Sequence, residues 1–386
     1  MADRSPIPYA RQSIDAADIA AVVEIMQSDF LTHGPAVERF ERAVADYAGV
    51  QHAIAASSGT AALHVGLAAL GVDEDSLVWT SPNSFVASAN AARYLGADVD
   101  FVDIDPRTYN MSADELERKL VQAERAGRLP DVVVPVDFAG APCDYGALLD
   151  LRGRYGFRIL EDASHAIGAT WEQRRLGTWA DATVFSFHPV KIVTSAEGGM
   201  LVTDDPQVAA HASRFRIHGI TRDPQLMEYG PQGGWYYEQL ELGYNYRLTE
   251  LQAALGASQL QRIETFIARR SEIAARYDRE LRDLALGLPY RDPRARSALH
   301  LYVVAARDAR ERLRLYEALH RQNVRVNVHY IPIHLQPYYR RRGFNAGDFP
   351  ASERYYERAL SLPMYAGLSD DDQSRVIAEL RALAPL

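Results

Sequence analysis

The stretch Arg158-Ile159-Leu160-Glu161-Asp162 is a short apolar run that ends in two carboxylates, and runs of this kind decide the fold class. They recur through the first two-thirds of the chain and alternate with segments of helical periodicity. This alternation is typical of βαβ units in a mostly parallel sheet, because parallel strands need a long crossover that is usually a helix. The predicted strands are Leu77–Thr80, Val99–Asp103, Asp131–Val136, Arg158–Asp162, Thr183–Phe187 and Met200–Thr203.

Two helices between these strands have clear start and stop signals. Apolar residues recur at helical spacing from Pro35 to Gly49 and again between Gly59 and Gly71. Proline favours the first turn of a helix and glycine its C-terminal end. Residues 1–250 are therefore predicted to form a large, three-layer α/β domain.

The composition changes after residue 250. An Ala-, Leu-, Arg- and Glu-rich stretch to about Leu281 predicts one long linking helix, and residues 251–386 as a whole predict a smaller α+β domain. Within it we expect strands at His300–Ala305 and Arg325–Tyr330, and helices near Arg310–Arg321 and Ser369–Leu383. The Gly- and Pro-bearing segment Asp223–Trp235 predicts a long loop.

Length and charge exclude several classes of protein. The chain has 386 residues, with 42 Lys plus Arg against 51 Asp plus Glu, a net charge of −9. Its length is sufficient for about two domains with a site between them. The acidic balance, without a run of basic residues, gives no reason to expect nucleic acid or an anionic membrane as a partner. We also find no apolar run of about 18 residues, and no apolar core of a signal peptide between Met1 and Pro6.

Other motifs are missing. Cys143 is the only cysteine, which excludes an internal disulfide and multi-cysteine zinc sites and fits a reducing cytoplasm. No GxGxxG, P-loop or HExxH motif occurs. His329 and His334, five residues apart, are poorly spaced for two ligands on one helix face, so no metal site is expected.

Lysine is rare in this chain. Of the 42 basic residues only Lys119 and Lys191 are lysines. Lys119 lies in a charged helical pattern that predicts an exposed helix face. Lys191 follows an apolar strand and precedes Glu197-Gly198-Gly199, where a primary amine is suited to form a Schiff base.

Three further features complement such a lysine. Asp162 ends a predicted parallel strand, the position at which open α/β sheets bind ligands, although it could instead cap a helix. Ser58-Gly59-Thr60 opens a helix and is either a plain N-cap or a phosphate site, with Ser186 within reach of the same anion. Phe85 could cover a flat cofactor or belong to the core. Lysine, aspartate for a pyridinium nitrogen and a phosphate cradle together are what pyridoxal 5'-phosphate requires.

From about Ile7 onwards the sequence resembles the DegT/DnrJ/EryC1/StrS family of pyridoxal-phosphate-dependent sugar aminotransferases. The resemblance implies the fold-type I architecture of aspartate aminotransferase. It rests on Gly59-Thr60-Ala61-Ala62-Leu63, Val102-Asp103-Ile104-Asp105, Glu161-Asp162-Ala163-Ser164-His165-Ala166, Ser186-Phe187-His188-Pro189-Val190-Lys191, Glu197-Gly198-Gly199 and Gly243-Tyr244-Asn245-Tyr246-Arg247.

The resemblance implies a role for each matching residue. Lys191 corresponds to the Schiff-base lysine and Asp162 to the partner of the pyridine nitrogen. The other implied cofactor contacts are His165 at the ring hydroxyl, Gly59, Thr60 and Ser186 at the phosphate, Phe85 on the ring face, and Asn245 at the phosphate of the neighbouring subunit. Asn245, with Arg247 beside it, implies a homodimer with shared active sites.

Several segments look most like the transaminases of pseudaminic acid synthesis. That similarity implies amino transfer from L-glutamate to carbon 4 of a UDP-linked 4-keto-6-deoxy-N-acetylhexosamine. Tyr9, Thr32, Arg247, His329 and His334 would then bind the sugar, although each could also be a hydrogen-bonded structural group.

The sequence departs from the usual pattern at two positions. His33 replaces a usual Gln and Asp137 a frequent His, both near loops expected to face the substrate. Three alternatives remain: an aminotransferase for a bacillosamine- or perosamine-type precursor, a sugar dehydratase on the same fold, and a non-catalytic cofactor-binding regulator. Dehydratases carry His where Lys191 stands, and the regulators usually carry an additional DNA-binding segment.

Overall fold

The computed structural model of the chain describes residues 5–384, so Met1 to Arg4 of the segment considered for a leader peptide lie outside the described residues. The α-helices are α1 Ala16–Met26, α2 Pro35–Ala48, α3 Gly59–Ala69, α4 Ala87–Tyr94, α5 Ala113–Ala126, α6 Tyr145–Tyr155, α7 Pro206–Phe215, α8 Glu250–Leu260, α9 Ile263–Leu281, α10 Ala309–Arg321, α11 Pro337–Arg340, α12 Pro350–Arg358 and α13 Asp370–Leu383. Short 3₁₀ turns cover Phe138–Gly140 and Ile333–Leu335.

The strands follow the same order along the chain. They are β1 His52–Ala56, β2 Leu77–Thr80, β3 Asp98–Phe101, β4 Val132–Val134, β5 Arg158–Asp162, β6 Thr170–Trp171, β7 Arg174–Arg175, β8 Ala182–Ser186, β9 Gly199–Thr203, β10 Ile220–Thr221, β11 Glu238–Gln239, β12 Ala295–Arg296, β13 Tyr302–Ala305 and β14 Ala359–Leu362.

A seven-stranded sheet in the order β1-β9-β8-β5-β4-β2-β3 forms the centre of the molecule. β9 is antiparallel to both of its neighbours, and the other pairs are parallel. The prediction of a mostly parallel α/β sheet is therefore confirmed. All six predicted strands are present, with ends shifted by at most two residues. β1 was missed because His-Ala-Ile-Ala-Ala contains a single large apolar residue.

Helices cover both faces of this sheet, which explains why its strands are apolar on both faces. All three valines of β4 are buried, and so are all residues of β8 and β9. One face packs against a core that includes Phe40, Trp79 and Phe187, and the other against α3 and its neighbours. As predicted, Pro35 starts α2, and Gly49 ends it with a left-handed backbone at φ 79°.

The long helix predicted after residue 250 is wrong in one respect, because it is broken into α8 and α9 at Gln261 and Arg262. α8 packs on α1 and α2, whereas α9 continues into a C-terminal core around Tyr277. Arg262 at the break is paired with Asp15 and Asp18 near the start of α1. The division of the chain into two domains at residue 250 stays a prediction.

The C-terminal region is built around the antiparallel pair β13 and β14, packed against α9, α10 and α13. The predicted helices near Arg310–Arg321 and Ser369–Leu383 are confirmed as α10 and α13, and Asp223–Trp235 is a loop as expected. The predicted strand Arg325–Tyr330 is wrong. Asn327 makes only a single bridge to Ser361, and the neighbouring Val324 one to Ile7, so no regular ladder forms.

Lys119 does not lie on an exposed helix face. Its amine is half-buried, lies 2.6 Å from a carboxylate oxygen of Asp100 and stands over the Trp79 ring at 4.7 Å. Burial lowers the pKa of Lys119, although Asp100 opposes the shift. Lys119 is thus paired within the fold at the edge of the sheet.

None of the helices between residues 5 and 384 has the length and apolar character needed to cross a membrane.

At Gly256, α8 lies close against α2. A Cβ atom at this position would lie 2.5 and 2.7 Å from ring carbons of Phe40, whose own ring is fully buried against Phe187. We expect Gly256→Ala to lower the free energy of unfolding, because overpacking costs about 1–3 kcal/mol and outweighs a helix-propensity gain of about 1 kcal/mol. The measurement is the midpoint of urea-induced unfolding.

Gly153→Ala is the matched control, since Gly153 lies on α6 with open space around it. This control should be as stable as the wild type or more so. Equal stability of the two variants would show that the Phe40 ring moves freely.

Candidate active site

The carboxyl ends of β1, β8, β5, β4, β2 and β3 all lie at one edge of the sheet, because only β9 runs in the opposite direction. A cavity of about 530 Å³ opens at this edge. Nine of the residues predicted for the site line it: Tyr9, Gly59, Thr60, Phe85, Asp162, His165, Ser186, Lys191 and His329.

Lys191 enters the cavity from the loop between β8 and β9. The loop folds back on itself, because the Phe187 N–H donates to the Gly198 carbonyl and the Ser195 N–H to the Phe187 carbonyl, each at 2.9 Å. Desolvation by the surrounding protein lowers the pKa of Lys191 to about 8, while the negative charge of Asp162 opposes the shift. The unprotonated, nucleophilic form of this amine is therefore more populated near neutral pH than that of an ordinary lysine.

Asp162 is the last residue of β5, and its carboxylate is held from two sides. The Ser88 hydroxyl donates to one oxygen at 2.6 Å, and the Ser164 N–H to the other at 3.1 Å. The segment that follows is a turn, so Asp162 does not cap a helix. Sequence reasoning did not assign Ser88, although its hydroxyl fixes the carboxylate in the cavity.

The first turn of α3 forms an anion cradle. The Ser58 hydroxyl accepts the Ala61 N–H at 3.1 Å and the Ser58 carbonyl accepts the Ala62 N–H, which leaves the amides of Gly59 and Thr60 for a ligand. These amides lie at the positive end of the helix dipole. Ser58 is therefore an N-cap, and the turn beside it also fits a phosphate.

Glycine is required where the strands approach α3. A Cβ atom on Gly59 would lie 3.0 Å from the Ser186 hydroxyl oxygen, and one on Gly199 would collide with the Ser58 carbonyl. The absence of these side chains lets Ser186 reach the same cradle. This explains the glycines of two of the sequence motifs.

A layer of neutral rings forms another wall. His165 accepts the Ala139 N–H at its Nδ1 at 3.3 Å, and its Nε2 lies 3.1 Å from the Tyr330 hydroxyl. Burial, followed by the charges of Lys191 and His329, moves the pKa of His165 well below its usual range. The His300 ring packs 4.4 Å from that of His165.

Sequence reasoning missed both His300 and Tyr330. Tyr330 stands beside His329, which was predicted to bind the sugar, so its neighbour was a signal. His300 has no sequence signal, because only packing against His165 brings it here.

Two further side chains shape the mouth of the cavity. Phe85 is 57% exposed, so it is not a core residue, and its ring lies 6.1 Å from that of Tyr330. The Tyr9 ring lies 5.3 Å from that of His329, whose Nδ1 lies 2.8 Å from the Ser361 hydroxyl. Burial, assisted by the charge of Lys191, lowers the pKa of His329 to about 4.

Four predicted residues lie outside this cavity. Thr32 and Asn245 are exposed and Arg247 is half-buried, and these three residues do not line the cavity. The expectation that His334 faces the sugar is not met: its ring is fully buried, packs on Phe349, and its Nε2 lies 2.9 Å from Glu353.

Asp137, expected near a loop that faces the substrate, has its side chain in the interior. Its carboxylate is fully buried behind the site and accepts hydrogen bonds from the Cys143 N–H at 2.8 Å and the Tyr145 hydroxyl at 3.0 Å. Burial, with the charge of neighbouring Glu161, raises the pKa of Asp137 well above its usual range. The side chain at the departing position 137 therefore lies in the interior.

The donor set fits pyridoxal 5'-phosphate. A deprotonatable lysine, a fixed carboxylate, a helix N-terminus with a hydroxyl beside it and an aromatic face all border one cavity. Gly59 keeps the phosphate end open, as noted above. No group of His, Cys, Asp and Glu side chains suited to a metal ion is present in the described part of the chain.

Comparisons with known proteins agree with this chemistry. The spore coat polysaccharide biosynthesis protein SpsC of Bacillus subtilis is 38% identical over 381 residues, 97% of this chain and 96% of SpsC. Helicobacter pylori PseC, an aminotransferase involved in the biosynthesis of pseudoaminic acid, is 30% identical, with a TM-score of 0.89 over 98% of this chain and 99% of PseC.

Spr1654 of Streptococcus pneumoniae has structures in PMP and PLP forms. The PMP form matches with a TM-score of 0.89 and 27% identity over 98% of this chain and 97% of that one. The fold is thus that of pyridoxal-phosphate-dependent aminotransferases. The family model described as the DegT/DnrJ/EryC1/StrS aminotransferase family matches residues 12–381. The chain therefore belongs to this family of pyridoxal-phosphate-dependent sugar aminotransferases.

Proposed function

We propose that this aminotransferase moves an amino group from L-glutamate to carbon 4 of UDP-2-acetamido-2,6-dideoxy-β-L-arabino-hexos-4-ulose. The observation that carries the transfer chemistry is Lys191, a lysine of lowered pKa that shares its cavity with the carboxylate of Asp162. The choice of sugar is supported by the similarity to PseC over almost the whole of both chains.

The residues of the cavity would have different roles in such a reaction. Pyridoxal phosphate, when bound, supplies an electron sink for the carbon that loses its proton. Asp162 would hold the ring nitrogen, with its own carboxylate fixed by Ser88 and Ser164. The amides of Gly59 and Thr60 and the Ser186 hydroxyl would bind the phosphate. These contacts orient the cofactor relative to Lys191.

Lys191 also serves as the base and acid of the reaction. With its pKa near 8, its Nζ can accept a proton from the substrate carbon and return one at low cost in free energy. Neutral His165 would lie near the ring hydroxyl. The rings of Phe85 and Tyr330 border the cavity in which the cofactor would lie.

A second candidate is an aminotransferase for another nucleotide-linked 4-keto-6-deoxy sugar, of the bacillosamine or perosamine type. It is favoured by SpsC, which is 38% identical against 30% for PseC and is named for spore coat polysaccharide synthesis. The dehydratase alternative is not retained, because the chain belongs to an aminotransferase family and carries Lys191.

We further propose a homodimer in which Asn245 completes the site of the partner, with Arg247 beside it. Asn245 is exposed, and Leu242, three residues earlier, is 80% exposed. The segment around Phe30 and Leu31 is also exposed and lies close by, since the Glu250 N–H donates to the Leu31 carbonyl at 3.0 Å. Exposed apolar surface of this kind is typical of interfaces. The single cysteine supports a cytoplasmic location.

The chain has only two lysines, which allows a direct test of cofactor attachment. Borohydride reduction of protein loaded with pyridoxal phosphate should place the label on Lys191. Lys191→Ala should lose the label and all amino transfer, whereas Lys119→Ala should keep both. Peptide mass spectrometry locates the label, and a label on Lys119 would contradict the assignment.

The pH dependence of attachment follows from the pKa of Lys191. Between about pH 6 and about pH 9 the attachment rate should rise, because the unprotonated amine is the nucleophile and its fraction grows with pH. The midpoint should lie near 8, the pKa of Lys191. A midpoint near that of free lysine would show that the cavity does not desolvate this amine.

The substrate is tested by half-reactions. Glutamate should convert the loaded enzyme to the pyridoxamine form, and the UDP-linked L-arabino 4-keto sugar should restore the original visible band. Recovery with bacillosamine- or perosamine-type keto sugars alone would support the second candidate. Failure of glutamate to change the spectrum would exclude it as donor.

Shared active sites predict complementation between inactive variants. Lys191→Ala and Asn245→Ala should each be defective, and subunit exchange between them should restore about a quarter of the wild-type activity, because half of the dimers then carry one intact site. Lys191→Ala mixed with Asp162→Asn is the matched control and should stay inactive, since both residues lie in the same subunit's cavity. Equal activity of the two mixtures would contradict a role for Asn245 across the dimer.

A further inference from the structure

The hydroxyl of Tyr330 lies in the cavity without a role in the reaction so far. It stands 3.1 Å from Nε2 of His165, and its ring lies 6.1 Å from that of Phe85. The distance alone does not show which atom donates in this hydrogen bond, because the tyrosine oxygen and the histidine nitrogen can each donate or accept. The surroundings of His165 decide which one donates.

The backbone determines the tautomer of His165. Its Nδ1 faces the Ala139 N–H at 3.3 Å, and an amide can only donate, so Nδ1 carries no proton. Burial and the nearby charge of Lys191 keep the ring neutral by lowering its pKa. A neutral ring without a proton on Nδ1 must carry it on Nε2. His165 is therefore the donor to the Tyr330 oxygen.

The Ala139 amide is itself held in place. Its residue adopts a left-handed backbone at φ 59°, and its carbonyl accepts the Leu301 N–H at 3.3 Å. Next to it, a Cβ atom on Gly140 would lie 2.9 Å from the His165 carbonyl oxygen and 3.0 Å from the His300 nitrogen. Such close packing leaves the amide little freedom to turn away from His165.

The proton of Tyr330 is consequently left for another acceptor. Within residues 5–384 its hydroxyl makes no hydrogen bond other than the one with His165. Burial, with the charges of Tyr9 and Asp162, raises the pKa of Tyr330, so the hydroxyl keeps its proton. Buried Tyr355 differs, because its hydroxyl donates to the His329 carbonyl at 2.6 Å.

We propose that Tyr330 is a catalytic hydrogen-bond donor whose hydroxyl, oriented by His165, binds an oxygen acceptor in the cavity. The inference rests on the proposed aminotransfer. Two oxygens share the required chemistry: the phenolic oxygen of the cofactor and the keto oxygen of the sugar. Donors aimed at such oxygens stabilise charge that develops there.

The test compares Tyr330→Phe with Tyr277→Phe. Tyr277 is buried in the C-terminal core and donates to the Pro363 carbonyl at 3.0 Å, so its variant also loses one hydrogen bond of a tyrosine hydroxyl but lies away from the cavity. Thermal unfolding of both variants checks the fold. The readouts are the pH titration of the visible band of the loaded enzyme and the rate of each half-reaction.

If the acceptor is the cofactor oxygen, Tyr330→Phe shifts the pH midpoint of the visible band before any substrate is added. If it is the keto oxygen, the band is unchanged and the sugar half-reaction slows by about 10- to 1,000-fold while the glutamate half-reaction keeps its rate. Tyr277→Phe should change neither. An unchanged titration together with unchanged rates in Tyr330→Phe overturns the proposal.

A second variant tests the orientation by His165. His165→Gln retains an N–H donor, so Tyr330→Phe should still change the titration or the rate when it is added to this variant. When Tyr330→Phe is added to His165→Phe, which has no such donor, it should change them little further. Additive effects of His165→Phe and Tyr330→Phe would contradict the coupling. If the wild type does not use the UDP-linked keto sugar, the proposed sugar fails. Tyr330 is then tested by the same titration and by the half-reaction with the keto sugar that the wild type does use.

Discussion

The amine of Lys191 shares one partly desolvated cavity with the carboxylate of Asp162, and the other features of the site depend on this balance. Desolvation lowers the pKa of the amine, whereas the nearby negative charge raises it, and the outcome is about 8. A carboxylate that moved away would leave the lysine still less basic. A carboxylate free to pair with it directly would hold it protonated. The hydrogen bonds from Ser88 and Ser164 therefore fix the position that the chemistry requires.

The support behind the site contains buried acidic and basic side chains. Asp137 and Glu161 are fully buried below the end of β5, where the Asp137 N–H donates to the Asp162 carbonyl at 3.1 Å. On the other side, the buried guanidinium of Arg270 donates to the carbonyls of Leu299, His300 and Met364. Burial lowers the pKa of Arg270 to about 10. Removing one such partner would leave others unpaired, which ties the C-terminal region to the cavity.

Sequence reasoning succeeded where one residue type in one local pattern sufficed. Local patterns predict the strand ends that carry Asp162 and Ser186 and the N-cap at Ser58. They also single out Lys191, which follows an apolar strand and precedes a pair of glycines. It failed where packing decides. Lys119 looked exposed and is paired with Asp100, and His334 was expected at the sugar and lies against Glu353. Asp137 was expected near a loop that faces the substrate, and its side chain is buried.

The amino-acid sequence by itself determined the mostly parallel sheet, because apolar periodicity and glycine or proline signals act over a few residues. It also determined Lys191 as the candidate for covalent chemistry, because arginine replaces lysine almost everywhere else. Only the tertiary structure decided that Tyr330 and His300 join the cavity, that α8 and α9 separate at Arg262, and that His165 carries its proton on Nε2. These outcomes depend on contacts between segments far apart in the chain, whose side-chain directions no local pattern specifies.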